Sequence, residues 1–331
     1  MKNLCLMLAV ILPALFTLGC QQNSQTETAS AALACSYTQG QTYKTRVKGH
    51  ILYKTWVEMP NKPPASVVSN ERNWELTLRH EVEKVNPDKS ALVKVTIEKA
   101  DYKLNIDSPE KKSEETYSST PEKTQSSQGE NSALAGMSYK VVLEPNTAIR
   151  QVIKDESFNQ PGLLEKDATV PAFLIREKMI KSYHEHNAVR YGPRVGEKST
   201  RIIPIPDPMI KAQVIRMDYQ SAAADGDKLI KISGTGTALD RLPPDMPAPE
   251  KPAHIFGALI QDRSQTQEFT MTDEGVLNVA QGLVERETQK THNLLILDGG
   301  SIFPSEKKVE PGSAGFMFTL IDLDSDYEVI K

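Results

Sequence analysis

The sequence predicts a mainly β protein: a large twisted antiparallel sheet or open half-barrel made from two similar halves, with one amphipathic helix laid on its concave face. Three observations predict it. Apolar and charged residues alternate with a period of two along much of the chain, turn-forming residues separate the alternating runs, and the same order of elements occurs twice. The 331 residues are 25% charged and 39% hydrophobic, inside the globular range. Near balance between 39 Lys+Arg and 43 Asp+Glu, with a net charge of −4, argues against a nucleic-acid partner.

The repeat starts with Gly40 to Val47, which lines up with Gly196 to Ile202; each is followed by a Pro-containing stretch, Pro60 to Pro64 and Pro204 to Pro208. Two alternating runs come next in each half. Trp74, Leu76, Leu78 and Val82 alternate with charged residues, Asn86-Pro87-Asp88-Lys89 turns the chain, and Ala91, Val93, Val95 and Ile97 continue the pattern. In the second half Ile215, Met217 and Tyr219 lead to the turn Ala224-Asp225-Gly226-Asp227 and then to Ile230 and Ile232. Period and turn chemistry make both hairpins. An insertion follows in each half: the Ser/Glu/Lys-rich run 107–132, read as disordered, and the Pro-rich loop 242–252. A last hairpin, Met137 to Leu143 with the turn Glu144-Pro145-Asn146 and Ile149 to Ile153, corresponds to Phe269 and Met271, the turn Thr272-Asp273-Glu274-Gly275, and Val276 to Val279.

One element has no counterpart. Asp167 to Thr169 offer capping oxygens, Pro171 suits a first turn, and Ala172, Ile175, Met179 and Tyr183 make an apolar stripe, so a helix is expected over about 170–187. Further strands, Leu294 to Leu297 and Phe316 to Leu323, close the chain. The expected organisation is a first β half over 36–190 and a second over 191–331; two β-sandwich-like domains divided near Arg190 are the alternative.

Chemical motifs mostly fail. His184-Glu185-His186 invites a metal, but residues two apart on a helix face nearly opposite sides, so capping and solvated roles are expected. His80, between Leu78 and Val82, reads as a half-buried strand residue, and His50, His254 and His292 are isolated. Asp322 to Glu328 resembles the start of a calcium loop but has Tyr327 where the loop needs Gly, so it reads as the charged face of a strand. Ser305-Glu306-Lys307-Lys308 and Ser108-Pro109-Glu110-Lys111 lack the partner motifs of the Ser-x-x-Lys enzymes. Gly234-Thr235-Gly236 lacks the third glycine of a dinucleotide site, Gly299-Gly300-Ser301 makes no nucleophile elbow, and Asp225 with Asp227 reads as a solvated turn pair. The expectation is no catalytic residue, no metal and no cofactor.

The N-terminus carries an address. Lys2 precedes an apolar run from Leu4 to Leu18, then Gly19-Cys20 and the polar Gln21 to Thr26. The apolar run rises about 22 Å as a helix, too short to span a bilayer. Phe16-Thr17-Leu18-Gly19-Cys20 resembles the lipobox of bacterial lipoproteins, although Thr17 stands where that motif prefers Leu. The resemblance implies a signal peptide over 1–19, a diacylglyceryl group on Cys20 and a flexible tether over 20–35; an ordinary signal peptide cut near Ala29 to Ala34 is the alternative. Gln21 after the cysteine implies an outer-membrane anchor facing the periplasm. With Cys5 removed and Cys20 modified, Cys35 is left as a lone thiol, read as a small buried residue.

Gly40 to Val47, Trp74 to Ile97 with Glu81-Val82-Glu83-Lys84-Val85-Asn86, and Leu134 to Val141 together resemble a family of bacterial secreted lipoproteins built on a β-rich domain of unknown function. That family transfers no functional residues. The expected architecture is similar to periplasmic carriers of lipoproteins and lipids, which makes a non-enzymatic binder of a hydrophobic ligand or of a segment of an envelope protein the expected function. A scaffold acting through the loops 107–132 and 242–252 is the alternative.

Overall fold

The computed structural model describes residues 33–119, 134–154, 174–192, 194–204, 214–225, 228–239, 265–298 and 315–330. In chain order these form β1 (Thr42–Glu58), β2 (Ala65–Val85), β3 (Ala91–Asp107), β4 (Lys112–Ser118), β5 (Ser138–Leu143), β6 (Ile149–Lys154), α1 (Glu177–His184), α2 (Asn187–Tyr191), β7 (Lys198–Pro204), β8 (Val214–Asp225), β9 (Leu229–Leu239), β10 (Gln265–Asn278), β11 (Leu283–Asp298) and β12 (Phe316–Ile330). All twelve strands belong to one antiparallel sheet, ordered β6-β5-β3-β2-β1-β12-β11-β10-β9-β8-β7, with β4 paired to β3 beside β5. The sheet is open at β6 and β7, and it is continuous rather than divided into two sandwiches near Arg190.

Both halves are meanders that advance across the sheet in the same sense. The first starts at the centre and ends at one edge; the second starts at the opposite edge and ends at the centre, where β12 pairs with β1. The chain therefore crosses the whole sheet between β6 and β7, and α1 and α2 lie on that crossing, α1 against β6 and α2 against β9 and β10.

The two first-half turns are built alike. Asn86-Pro87-Asp88-Lys89-Ser90 and Glu144-Pro145-Asn146-Thr147-Ala148 each pair the first N–H with the last carbonyl, and each places its fourth residue at positive φ, 67° for Lys89 and 65° for Thr147. Asp88 accepts from the Ser90 N–H and hydroxyl, and Asn146 accepts from the Ala148 N–H, the short-range bonds for which Asx residues are chosen in turns. Arg150 joins the two turns, reaching Glu144 at 2.6 Å and Asp88 at 2.8 Å.

The inner face carries the core. One buried cluster, including Leu76, Leu78, Val93, Val95 and Val141, receives Ile175, Met179, Ile180 and Tyr183 from the helical segment; a second, including Ile215, Met217, Tyr219 and Ile232, receives Ala188 and Val189. Tyr37 and Tyr327 touch both. Glycine makes room for rings on this face. A Cβ on Gly49 would lie 2.0 Å from the Trp74 ring on β2, and one on Gly234 would lie 2.5 Å from the Tyr219 ring on β8. The halves thus repeat a device in which a strand glycine lets a neighbouring aromatic lie flat.

Three expectations are corrected. The turn expected at Thr272 to Gly275 is continuous strand: β10 runs to Asn278, and the chain reverses at Val279 to Gly282. Asp273 is buried among polar partners there, and Gly275 leaves space for Ala188 of α2, whose Cβ would lie 3.0 Å from a Cβ at that position. The insertion 107–132 begins with β4, because Tyr117 is buried and pairs with Tyr102; residues 120–133 and 242–252 lie outside the described residues. The helix expected over 170–187 is regular only from Glu177 to His184 and breaks at Glu185-His186 before α2. Residues 155–173, with the expected caps, lie outside the described residues.

Gly49→Val should destabilise the chain by about 2 kcal/mol, because Trp74 has no room to yield in a packed face. Urea unfolding checks it: the midpoint should fall with the m value unchanged.

Candidate functional site

The core holds an unusual polar group where the crossing segment meets both halves. His80 on β2 is buried and its Nε2 lies 2.9 Å from the Thr45 hydroxyl; the Tyr43 ring stacks on it at 4.5 Å, and His184 meets it edge-on at 5.3 Å. His184 in turn lies 2.8 Å from the Tyr139 hydroxyl. Neither finds a carboxylate among these contacts. Burial therefore dominates: it drives His80 down to about 3 and His184 well below the ordinary imidazole value, each also depressed by its histidine neighbours.

His186 sits at the break between the helices and is bonded to both halves. Its N–H donates to Thr147 Oγ1 at 3.0 Å, and that hydroxyl donates to the His186 carbonyl, so a β-branched residue at positive φ in the β5–β6 turn is tied to the crossing segment. Its ring Nδ1 contacts Glu287 Oε2 on β11, while Glu287 Oε1 accepts from the Ala188 N–H at 3.2 Å. Glu185 extends the clamp, accepting from the Ile149 N–H and pairing with Arg190 at 3.1 Å. Beside Glu287, buried Asp273 on β10 lies 3.4 Å from the Tyr219 hydroxyl. Desolvation, reinforced by mutual repulsion, raises Asp273 well above the carboxylate range; desolvation raises Glu287 to about 7 and lowers His186 to about 4.

The N-terminal segment closes the turn end of this region. Cys35 N–H donates to the Pro145 carbonyl at 2.7 Å and Ser36 N–H to the Gly282 carbonyl at 2.9 Å, stapling a turn of each half. Between them lies a cavity of about 20 Å³, counted as space for the centre of a water molecule, lined by Cys35, Tyr37, Tyr43, Thr147, His184 and His186 among others. That volume suits a water molecule and no lipid. The Cys35 thiol is pushed up to about 12 by burial, so it is neutral and protonated under ordinary conditions.

His184 and His186 correct the expectation of capping and solvated roles: both are buried, because the helix breaks between them and Tyr139 and Glu287 wait on the inner face. His80 is fully rather than half buried. Cys35 is buried as expected and its N–H is bonded to Pro145, so it belongs to the folded body; residues 20–32, including Cys20, lie outside the described residues. Among the described residues no cluster of three or more His, Cys, Asp or Glu could hold a metal ion. The run Asp322 to Glu328 lies within β12, with Asp322, Asp324, Asp326 and Glu328 on the outer face. Gly234 and Gly236 serve packing against Tyr219 and Met217. Asp273 and Glu287 were missed, and the signal for them was a charged residue on the apolar register of each strand, legible only once register is known.

Farther along the same face the floor changes. The helices occupy the turn end, whereas inner positions toward the far end are Ile51, Tyr53, Thr55 and Val57 on β1, Leu323, Ile321, Thr319 and Met317 on β12, and Asn293, Leu295 and Leu297 on β11. This is a predominantly apolar strip three strands wide. Leu323, Ile321, Met317 and Val57 are only half-buried.

Stability should peak near pH 6.5. Unfolding lets three depressed histidines take up protons below 6.5, and lets two raised carboxyls release theirs above about 4.5. Between those values the three histidines outweigh the two carboxyls, so the unfolded state holds more protons and stability is lost on acidification. Above 6.5 only the carboxyls act, in the opposite sense, and stability falls as pH rises through about 7. Chemical denaturation across pH 5 to 9 checks the dome, and Glu287→Gln should flatten its alkaline side.

No protein-family model and no curated protein matches the sequence. Among solved structures, one described as lipid-protein interactions in lipovitellin aligns with a TM-score of 0.47 and 8% identity over 89% of this chain and 26% of that one, so the chain spans about a quarter of that structure's length.

Proposed function

We propose that the chain is a non-enzymatic cell-envelope lipoprotein, anchored through Cys20, that binds a hydrophobic ligand or an apolar partner segment on the far part of its concave face. The observation that carries this reading is the mainly apolar strip of β1, β12 and β11, whose β12 side chains remain half-buried between the buried inner positions Ile51 to Thr55 of β1 and Asn293 to Leu297 of β11. A one-sided antiparallel sheet needs such a strip covered, and a ligand covers it at a gain of about 25 cal/mol per Å² removed from water. The turn end, by contrast, is filled by Ile175, Met179, Ile180 and Tyr183, so binding belongs to the far end alone. The Cys35 segment enters at the turn end, and β1, 17 residues long, runs about 55 Å from there to the far end of the proposed strip.

Two measurements test the reading. Cys20→Ser should move the protein from the membrane to the soluble fraction and abolish labelling with radioactive palmitate; unchanged fractionation would remove the anchor. For the strip, native mass spectrometry of full-length protein from its own envelope, followed by lipid extraction, should find a stoichiometric apolar mass. Ile321→Asp should lose that mass and cut the fluorescence of a bound naphthylamine probe several-fold, while Leu320→Asp, on the outer face, should retain both. Equal behaviour of the two variants would refute binding at this strip.

A further inference from the structure

The polar cluster lies where a short segment is held to two meanders at once, and this arrangement suggests a moving part. We propose that the crossing segment, residues 174–192, is an acid-released clasp: proton uptake by the buried histidines lifts it from the inner face while the sheet stays paired, uncovering the apolar floor beneath α1. The inference concerns the fold itself and does not rest on what the far strip binds.

Geometry carries it. α1 has eight residues and α2 five, lengths that hold no helix without tertiary support. Their attachment to the first half runs through Thr147, Ile149 and the Tyr139 hydroxyl, and to the second through Glu287 and the Ser199 hydroxyl, which donates to the Tyr191 carbonyl at 3.0 Å. None of these bonds belongs to a strand ladder, so the segment can leave without unpairing the sheet. Release also breaks the two bonds between Thr147 and His186.

The groups facing the cluster come from every neighbouring element: Tyr43 and Thr45 on β1, His80 on β2, Tyr139 on β5, Tyr219 on β8, Asp273 on β10, Glu287 on β11 and Tyr327 on β12, with Cys35 and Tyr37 from the N-terminal segment and Glu185 and Arg190 from the clasp itself. His80 and His184 contact hydroxyls and each other, so a proton on either adds a buried charge with no opposite charge bonded to it. Release gives protons to three imidazoles and takes them from two carboxyls. The depressed histidine and raised carboxyl values agree with that count. The net uptake of one proton makes release about tenfold more favourable for each pH unit between about 6.5 and 4.5.

Hydrogen exchange on the full chain at pH 6.5 and pH 5, expressed as protection factors, tests this. The amides of Ile180, Glu185 and Arg190, which bond within the segment, should lose about 10- to 100-fold protection, while those of Val93 and Val95 keep theirs. His184→Gln, which can still bond Tyr139, removes one imidazole and should leave segment protection independent of pH. His80→Asn combined with His184→Gln leaves the carboxyls in excess and should reverse the trend, protection rising on acidification. If the double variant does not fold, the single variant decides. Equal protection at both pH values in the unsubstituted chain, a proportional loss in β3, or an undiminished loss in His184→Gln would each overturn the clasp.

Discussion

The pairing of β1 with β12 joins the first described strand to the last, and the union of the two meanders in one sheet depends on it. Fifteen residue pairs run without a bulge from Lys44–Ile330 to Glu58–Phe316. On the outer face the acidic side chains of β12 lie between arginine and histidine side chains of its neighbours: Arg46 meets Glu328 at 2.6 Å, His50 lies 3.9 Å from Asp324, and His292 meets Asp322 at 2.6 Å. Such exposed pairs contribute at most about 1 kcal/mol each, so they do not hold the seam. Backbone bonds and the inner apolar row hold it. The charges set register, since a one-residue slip would turn the acidic row inward, and four carboxylates on one face discourage β12 from pairing with another copy of itself.

With the seam in place, the inner face divides into regions of different character. At the turn end the crossing segment fills the face, and many of the polar groups it buries bond one another, although His80 Nδ1 and Asp273 Oδ1 have no hydrogen-bond partner. Three neutral imidazoles and two protonation-prone carboxyls are a costly way to fill a core, for apolar side chains of similar volume pack there at no such penalty. Their value lies in position: His186 and Glu287 bond across the two halves, where an apolar contact would specify no register between the segment and the sheet. Toward the far end the same strands carry a mainly apolar floor, buried on β1 and β11 and half-buried on β12.

Much of this was legible in the sequence, and the failures are instructive. The hairpins at Asn86 to Ser90 and Glu144 to Ala148 were readable because period-two alternation and Pro-Asx turns are local signals. The repeat was readable because order survives where identity does not. What misled was also local chemistry. Asp273-Glu274-Gly275 has turn composition, yet the strand continues because Glu287 and Tyr219 accommodate Asp273 and because α2 needs the space at Gly275, and neither cause lies nearby in sequence. His184-Glu185-His186 misled similarly, since a continuous helix would splay the two rings whereas a broken one turns both inward. The pairing of β1 with β12 left no local trace at all, because cross-strand partners are fixed by topology.

The central position of β1 and β12 has a consequence for how the protein is made. Arg46 and Glu328 are 282 residues apart in sequence. On a ribosome each meander can form as it emerges, but β1 must wait as an unpaired edge until β12 is delivered, and closing so long a loop is slow. The sheet therefore reaches its final width only once β12 has been made. A chain truncated before β12 would expose the margin of β1 and of β11 together, the kind of unpaired edge that quality-control proteases and chaperones engage, so an unfinished molecule declares itself at its centre.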